Sequence, residues 1–453
     1  MKLVTFSKGG IHPPQSKLTA GNPITDIDLP EEVTLMLSQH IGAPASCIVD
    51  KGAHVTRGQL IARSSGAVSA NIHAPISGTI TKIDKTKGAG GYPADSITIK
   101  ADDNDRLNDS NARAGERQCR RTDSEIESLT ASDIITIVDG AGIVGLGGAT
   151  FPTKVKLTPP PGSHAEILII NGAECEPYLT CDHALMLSYP AEIIAGVRLL
   201  MKAAGINKAV IGVEANKPDA IAALSRHAGN GIDVQPLKVK YPQGGEKQLI
   251  KAITGREVPS GALPIATGTI VQNVATAYAV WEAVVLGKPL IERIVTVTGQ
   301  GFTGGNYRVP LGISINRLID LVSKGAITDR SKLILGGPMM GRAIANPQAP
   351  VTKGVSGILI LGADNARRDY PQPCIRCGAC VEACPMGLEP YLLATLSRHG
   401  RYDDTEQRHI TDCIECGSCS YSCPAARPIL DYIRLGKAAT IANIRNRRNT
   451  DNQ

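Results

Sequence analysis

Residues 30–100 alternate short apolar runs with glycine-centred turns, as in ‘GAPASCIVDKGAHVTRGQLIA’ and ‘IHAPISGTITKI’. Short strands joined by tight turns are expected there, in a β domain spanning 1–100 that carries an N-terminal extension. Residues 101–125 (‘ADDNDRLNDSNARAGERQCRRTDSE’) lose all apolar periodicity and read as a linker. Beyond them β-like and helical patterns alternate: ‘AEILIIN’ (165–171), ‘AEIIAGVRLLMKAAG’ (191–205), ‘KAVIGVEA’ (208–215) and ‘KPDAIAALSRHAG’ (217–229). This alternation predicts an α/β domain on a parallel sheet over 126–290. From 291, ‘IERIVTVTGQG’, ‘NYRVPLGISINRLIDLV’ and ‘KLILGGPMMG’ predict two strands, a short helix and further strands, a β-grasp-like module ending at 363. Residues 364–440 predict mostly short helices, and 441–453 a basic, frayed tail.

Composition narrows the function classes. At 453 residues the chain suits three or four domains. It holds 47 glycines but three Phe and one Trp, which favours tight turns and close backbone approach over broad aromatic surfaces. No stretch approaches the roughly 18 apolar residues of a membrane span, so membrane association is expected to come through partners. The net charge of +6 owes part to Arg445, Arg447 and Arg448. No aromatic-interleaved basic patch accompanies it, so nucleic acid is not an expected partner. The opening Met1–Gly10 has no apolar signal core, which argues against an oxidising compartment and disulfides.

Eight of the twelve cysteines fall into two copies of C-x-x-C-x-x-C-x-x-x-C-P. One copy is Cys374, Cys377, Cys380 and Cys384 before Pro385; the other is Cys413, Cys416, Cys419 and Cys423 before Pro424. This is the run with which bacterial two-cluster ferredoxins hold two [4Fe–4S] clusters, the fourth cysteine of each run closing the opposite cluster. The expected ligand sets are therefore Cys374, Cys377, Cys380 and Cys423 for one cluster, and Cys413, Cys416, Cys419 and Cys384 for the other. Pro385 and Pro424 are expected to start helices. Zinc ribbons lack the third cysteine and the repeated Cys-Pro. Cys47, Cys119, Cys175 and Cys181 are read as free thiols.

The densest glycine run is ‘DGAGIVGLGGATFPTKVKL’ (139–157). Such a loop leading into a helix can present several N–H groups to a phosphate. It resembles the flavin loop of the NADH-oxidising flavoprotein subunit of respiratory complex I, through Gly145, Gly147, Gly148, Phe151, Pro152 and Lys156. Three further segments match in order: ‘NGAECEP’ at Asn171, Glu174, Glu176 and Pro177, ‘YPQGGE’ at Tyr241, Gly244 and Glu246, and ‘VQNVAT’ at Asn273, Val274 and Thr276. Ala173, Gly245, Gln272 and Ala275 depart from that family's pattern. The resemblance implies noncovalent FMN and NAD(H), with Gly147 and Gly148 against the flavin and Lys156 offsetting phosphate charge. It implies catalytic Glu174 and Glu176 on the nicotinamide side, and Tyr241 and Glu246 framing the nucleotide.

The N-terminal pattern resembles the flattened barrel of biotinyl/lipoyl carriers, although no Lys lies between Lys51 and Lys82 to be modified. Over nearly the full length the chain is similar to the RnfC family of the Rnf electron-transport complex, through ‘GLGGATFPTKVKL’, ‘NGAECEPYLTCDHALM’, ‘YPQGGEKQLI’, ‘GGPMMG’ and ‘PCIRCGAC’. That resemblance implies four parts: the barrel, an FMN/NADH domain, a soluble-ligand-binding β-grasp domain and a two-cluster domain. It also implies an ion-translocating ferredoxin:NAD⁺ oxidoreductase, with an iron–sulfur subunit and integral membrane subunits as partners. The expected location is the cytoplasmic face of the bacterial membrane. Two rival readings stand beside it: a related cobalamin reductase of a microcompartment, and a flavin-free electron conduit or scaffold.

Overall fold

The computed structural model describes residues 2–102, 120–299, 301–325, 327 and 329–451. Most of the expected linker, with Cys119, lies outside them.

The barrel is built from two small sheets. Glu32–Met36, Pro93–Ala101, Gly78–Lys87 and His54–Val55 are hydrogen-bonded in that order; Ser46–Cys47, Leu60–Arg63 and Ile72–His73 form the second sheet. Their alternation puts Val33, Leu35, Val55, Ile61, Ile72, Ile80, Ile97 and Ile99 into one core. The connection between Arg63 and Ile72 carries no lysine, so the carrier fold is present without its modifiable residue.

The next domain has four parallel strands in the order Ile232–Leu237, Ala209–Glu214, Ile167–Gly172, Thr269–Asn273. Leu168, Ile170, Ile211 and Ile270 face helices including Pro190–Ala204 and Val274–Leu286, while Ile169 and Val271 face Glu246–Thr254. Gly196 interrupts the apolar stripe of its helix for a reason of space. A Cβ there would lie 1.9 Å from the Ala277 carbonyl oxygen, so only glycine lets these two helices meet.

The third domain is a mixed sheet around the antiparallel pair Glu292–Gly299 and Phe302–Pro310, with the helix Ile315–Ser323 against it. Its edge is completed from the other end of the chain. Ile24–Asp26 pairs in parallel with Asn306–Arg308, while Val4 bridges Leu237 and Ile11 bridges Tyr241. The N-terminal extension thus runs across the parallel-sheet domain and the third domain rather than around the barrel.

In the last domain the two cysteine runs repeat one backbone. Arg376 and Glu415 share positive φ (56° and 55°), as do Gly378 and Gly417 (80° and 81°), which open the short helices Ala379–Glu382 and Ser418–Tyr421. Pro385 and Pro424 start turns, correcting the expectation of helices there. The helices begin later, at Pro390 and Ile429. The basic tail also differs from expectation, since one helix continues through Ile429–Asp451. Arg447 pairs with Asp403 (3.3 Å) and with Glu406, and the Thr440 and Thr405 hydroxyls meet at 2.7 Å in a buried contact.

Three domains are pinned at one buried carboxylate. Glu292 accepts from Lys288 (2.5 Å), from Arg308 of the third domain (3.0 Å) and from Arg57 of the barrel (3.1 Å). Burial alone would raise its pKa, but Lys288, Arg308 and Arg57 together hold it well below the usual carboxylate range. Removing one partner of a buried ion cluster costs about 3–5 kcal/mol, because the remaining charges stay buried. Glu292→Ala should therefore lower the thermal midpoint of the full chain markedly, whereas the exposed Asp123→Ala should leave it unchanged in the same scan.

Candidate active site

The glycine-rich loop leaves the helix Ala131–Gly140 and closes on itself. The Gly145 N–H donates to the Phe151 carbonyl (2.8 Å), and Val144 bridges Pro152. Leu146 N–H donates to the buried Thr276 hydroxyl (2.9 Å), which ties the loop to the helix Val274–Leu286. Gly147 lies against Asn273, where a Cβ would stand 3.5 Å from the asparagine Cβ. Gly148 has a φ of +107°, and a Cβ there would meet nothing within 4 Å. Among the described residues the N–H groups of Gly147, Gly148 and Ala149 find no acceptor. A bare, glycine-lined turn with three free donors fits a phosphate-bearing cofactor.

Around this loop the remaining expected residues converge. Lys156 donates to Glu246 Oε1 (2.7 Å) and to the Val271 carbonyl (2.9 Å). Asn171 donates to the Gly244 carbonyl (2.8 Å) and accepts from Ala173 N–H. Asn273 caps its helix through Ala275 N–H and donates to Asp182 (2.7 Å).

Glu174 and Glu176 are already engaged by the protein. Glu174 accepts from the Asp182 and His183 N–H groups (2.7 and 3.2 Å) at the start of Cys181–Ser188. Glu176 accepts from Met339 N–H (3.1 Å), Met340 N–H (2.6 Å) and the Tyr241 hydroxyl (3.3 Å). The ‘GGPMMG’ loop wraps this carboxylate so closely that a Cβ on Gly337 would lie 2.1 Å from Glu176 Oε2. Tyr241 is buried, and its hydroxyl also donates to the Cys416 carbonyl (2.7 Å). It therefore faces the cysteine-rich domain.

The two cysteine runs meet at one cavity. Cys384 lines one apolar cavity with Cys413, Cys416 and Cys419, closed by Leu388, Leu393, Leu430 and Ile433. Burial raises the Cys413 thiol to about 11, with Cys416 and Cys384 adding to it. Burial raises the Cys380 thiol, with Cys423 and Cys374 adding to it. Four thiols around one dry cavity fit a cubane, whose ligands stand farther apart than those of a single ion. The two quartets differ in exposure: Cys384, Cys416 and Cys419 are buried, while Cys374 and Cys377 are exposed.

Several neighbours carried no readable signal in the sequence. Lys17 donates to the carbonyls of Glu174, Glu176 and Leu179 (2.8, 2.9 and 2.6 Å), fixing that turn from the N-terminal extension. Glu174, Cys181 and Asp182 bring ligand-type atoms within 4.8 Å of one another. The fully buried Arg293, donating to the Leu146 carbonyl (3.1 Å), bears on Cys181 and Asp182 and disfavours a cation there.

Residues 5–104 match the RnfC barrel sandwich hybrid domain, 138–282 the Nuo51 FMN-binding domain, and 373–426 the 4Fe-4S dicluster domain. The chain is 44% identical over 449 residues to its counterpart in the Na(+)-translocating ferredoxin:NAD(+) oxidoreductase complex of Acetobacterium woodii. That alignment covers 98% of this chain and 99% of the relative. The chain belongs to the RnfC family. A second member, from the proton-translocating ferredoxin:NAD(+) oxidoreductase complex of Clostridium ljungdahlii, is 44% identical over 435 residues, covering 95% of this chain and 93% of the relative. A third, from the ion-translocating oxidoreductase complex of Rhodobacter capsulatus, is 43% identical over 400 residues, covering 86% and 75%.

Asp182 gives this RnfC-family site a pH dependence. Burial first and Glu174 second raise its pKa to about 7, against the Asn273 hydrogen bond. A raised acid holds its proton in the folded state where the unfolded chain has lost it. Its contribution is therefore full below about 4 and is lost as pH rises towards 7. Asp182→Asn can keep the Asn273 contact through its carbonyl. In thermal scans it should flatten the fall in stability between pH 4 and 7; an unchanged slope would refute the assignment.

Proposed function

We propose that this RnfC-family chain passes electrons between NAD(H) and the rest of an ion-translocating ferredoxin:NAD⁺ oxidoreductase, with FMN and two [4Fe–4S] clusters as its cofactors. The observation that carries this reading is the seating of the inner cysteine quartet on the same domain that presents the open glycine loop. Bound FMN exchanges a hydride for single electrons, and bound clusters carry them one at a time.

The chain's own residues supply placement and charge. In this reading the N–H groups of Gly147, Gly148 and Ala149 hold the flavin phosphate, and Lys156 offsets its charge. Gly145, Phe151 and Thr276 keep the loop in shape, while Asn171, Gly244, Asn273 and Glu246 fix the adjoining strand ends. Glu174 and Glu176 act as positioning residues, the first on the Cys181–Ser188 helix and the second on the ‘GGPMMG’ loop. Cys384, Cys413, Cys416 and Cys419 hold the inner cluster against the flavin domain. Cys374, Cys377, Cys380 and Cys423 hold the outer one where a partner iron–sulfur subunit can reach it. Integral membrane subunits are expected to keep the chain at the cytoplasmic face of the bacterial membrane.

Anaerobic purification should yield about eight irons per chain, two cubanes' worth, and one FMN released on denaturation. Cys384→Ser should bring iron to about four and spare the flavin, with loss confined to the cluster of the Cys413 run. Equal loss from both clusters would remove the cross-ligation. A reconstituted chain that shows no flavin bleaching with NADH in stopped flow would favour a flavin-free conduit.

A further inference from the structure

One buried charge outside the expected site has, among the described residues, no acid to neutralise it. Lys353 is fully buried, and burial alone lowers its ammonium pKa to about 7. It donates to the carbonyls of Asn71 in the barrel (2.6 Å) and Gly142 in the glycine loop (2.7 Å), and its own N–H donates to Gln39 Oε1 (3.1 Å). The titratable groups facing it from the barrel are His40 and His73, both depressed by burial and then by Lys353, His73 to about 3. From the helix before the loop, Asp139 directs its carboxylate to Lys154 (2.6 Å). A buried ammonium costs several kcal/mol, and a methionine of similar length would avoid that cost.

The next residue touches the other end of the same loop. A Cβ on Gly354 would come within 2.7 Å of Thr150 Cγ2 and 3.4 Å of the Gly148 carbonyl oxygen. Gly142, at φ +66°, is pressed between Asn71 and Lys353; a Cβ on it would lie 2.2 Å from the Asn71 oxygen and 3.0 Å from the lysine Nζ. The barrel closes the third side through Ile41 N–H to the Thr150 carbonyl (3.3 Å).

We infer that the turn Thr352–Gly354 positions the glycine-rich loop, and that Lys353 is a positioning residue whose buried cation favours an anion on that loop. The inference rests on the FMN reading given above. A phosphate bound to the loop draws a proton onto Lys353, so FMN binding takes up protons near neutral pH and weakens as pH rises above about 7. The phosphate itself titrates near pH 6, below the window that matters. Asp182 titrates in the same window with the same sign, so comparisons belong in both the wild type and the Asp182→Asn background.

The test is FMN titration of the flavin-stripped full chain at pH 6.5 and 8.5, with calorimetry in buffers of different ionisation enthalpy. In both backgrounds the dissociation constant should rise several-fold between the two pH values, with net proton uptake. Lys353→Met should bind FMN about ten-fold more weakly at pH 6.5 and lose the Lys353 part of the pH dependence. Gly354→Ala should weaken binding at both pH values and keep that dependence. Absence of proton uptake in the Asp182→Asn chain overturns the inference even if Lys353→Met fails to fold, and so does unaltered affinity in a folded Lys353→Met. No FMN binding by the wild type at either pH would instead overturn the FMN reading, and the inference with it.

Discussion

The docking of the cysteine-rich domain onto the parallel-sheet domain is the constraint on which the rest depends, and the Tyr241 hydroxyl lies at its centre. One hydroxyl donates to the Cys416 carbonyl and reaches Glu176, which in turn holds the ‘GGPMMG’ loop. A cluster-bearing turn, a strand end and a third-domain loop are thereby fixed together. The N-terminal extension adds a second fastening, with Gly10 N–H on the Ala383 carbonyl. Gly9 passes so near that a Cβ would stand 2.4 Å from the Cys384 carbonyl carbon. At the far edge, Ser260 donates to Asp412 at 2.5 Å. Together these contacts fasten the cysteine-rich domain to the parallel-sheet domain at its centre and at its edge.

The same docking explains why two equal motifs end in unequal surroundings. Both runs fold alike, down to positive φ at matching residues. One is then pressed against Tyr241, Cys175 and Met339, while the other keeps Ile375, Arg376 and Cys377 in solvent. Cluster potentials respond to burial and hydrogen bonding, so placement by the neighbouring domain differentiates what the sequence duplicates.

How much of this was legible depended on whether the signal was local. The two cysteine runs predict a repeated local fold, because each run is shaped by its own backbone. The helix predicted at 191–205 appears as Pro190–Ala204, through an apolar stripe that faces the sheet, and the strand predicted at 208–215 as Ala209–Glu214, through a short apolar run buried on both faces. Lys17, Ile24 and Lys353 gave no such signal, because their partners lie in other domains and leave no trace in neighbouring residues. The glutamates show the opposite limit. Only the fold shows that Glu174 caps a helix and Glu176 clamps a loop. Tyr241 likewise proved to look towards the cysteines.

A redox unit built in this way can be shared among complexes that move different ions. Two relatives equally similar to this chain are named for sodium and for protons. Among the described residues no single helix is long and apolar enough to cross a membrane. The buried charges that structure the interior are committed elsewhere: Glu292 joins three domains, Lys17 holds the Glu174–Leu179 turn, and Lys353 backs the glycine loop. Each places a backbone segment. The converter between NAD(H) and single electrons thus rests on charges that hold its own backbone together across domains.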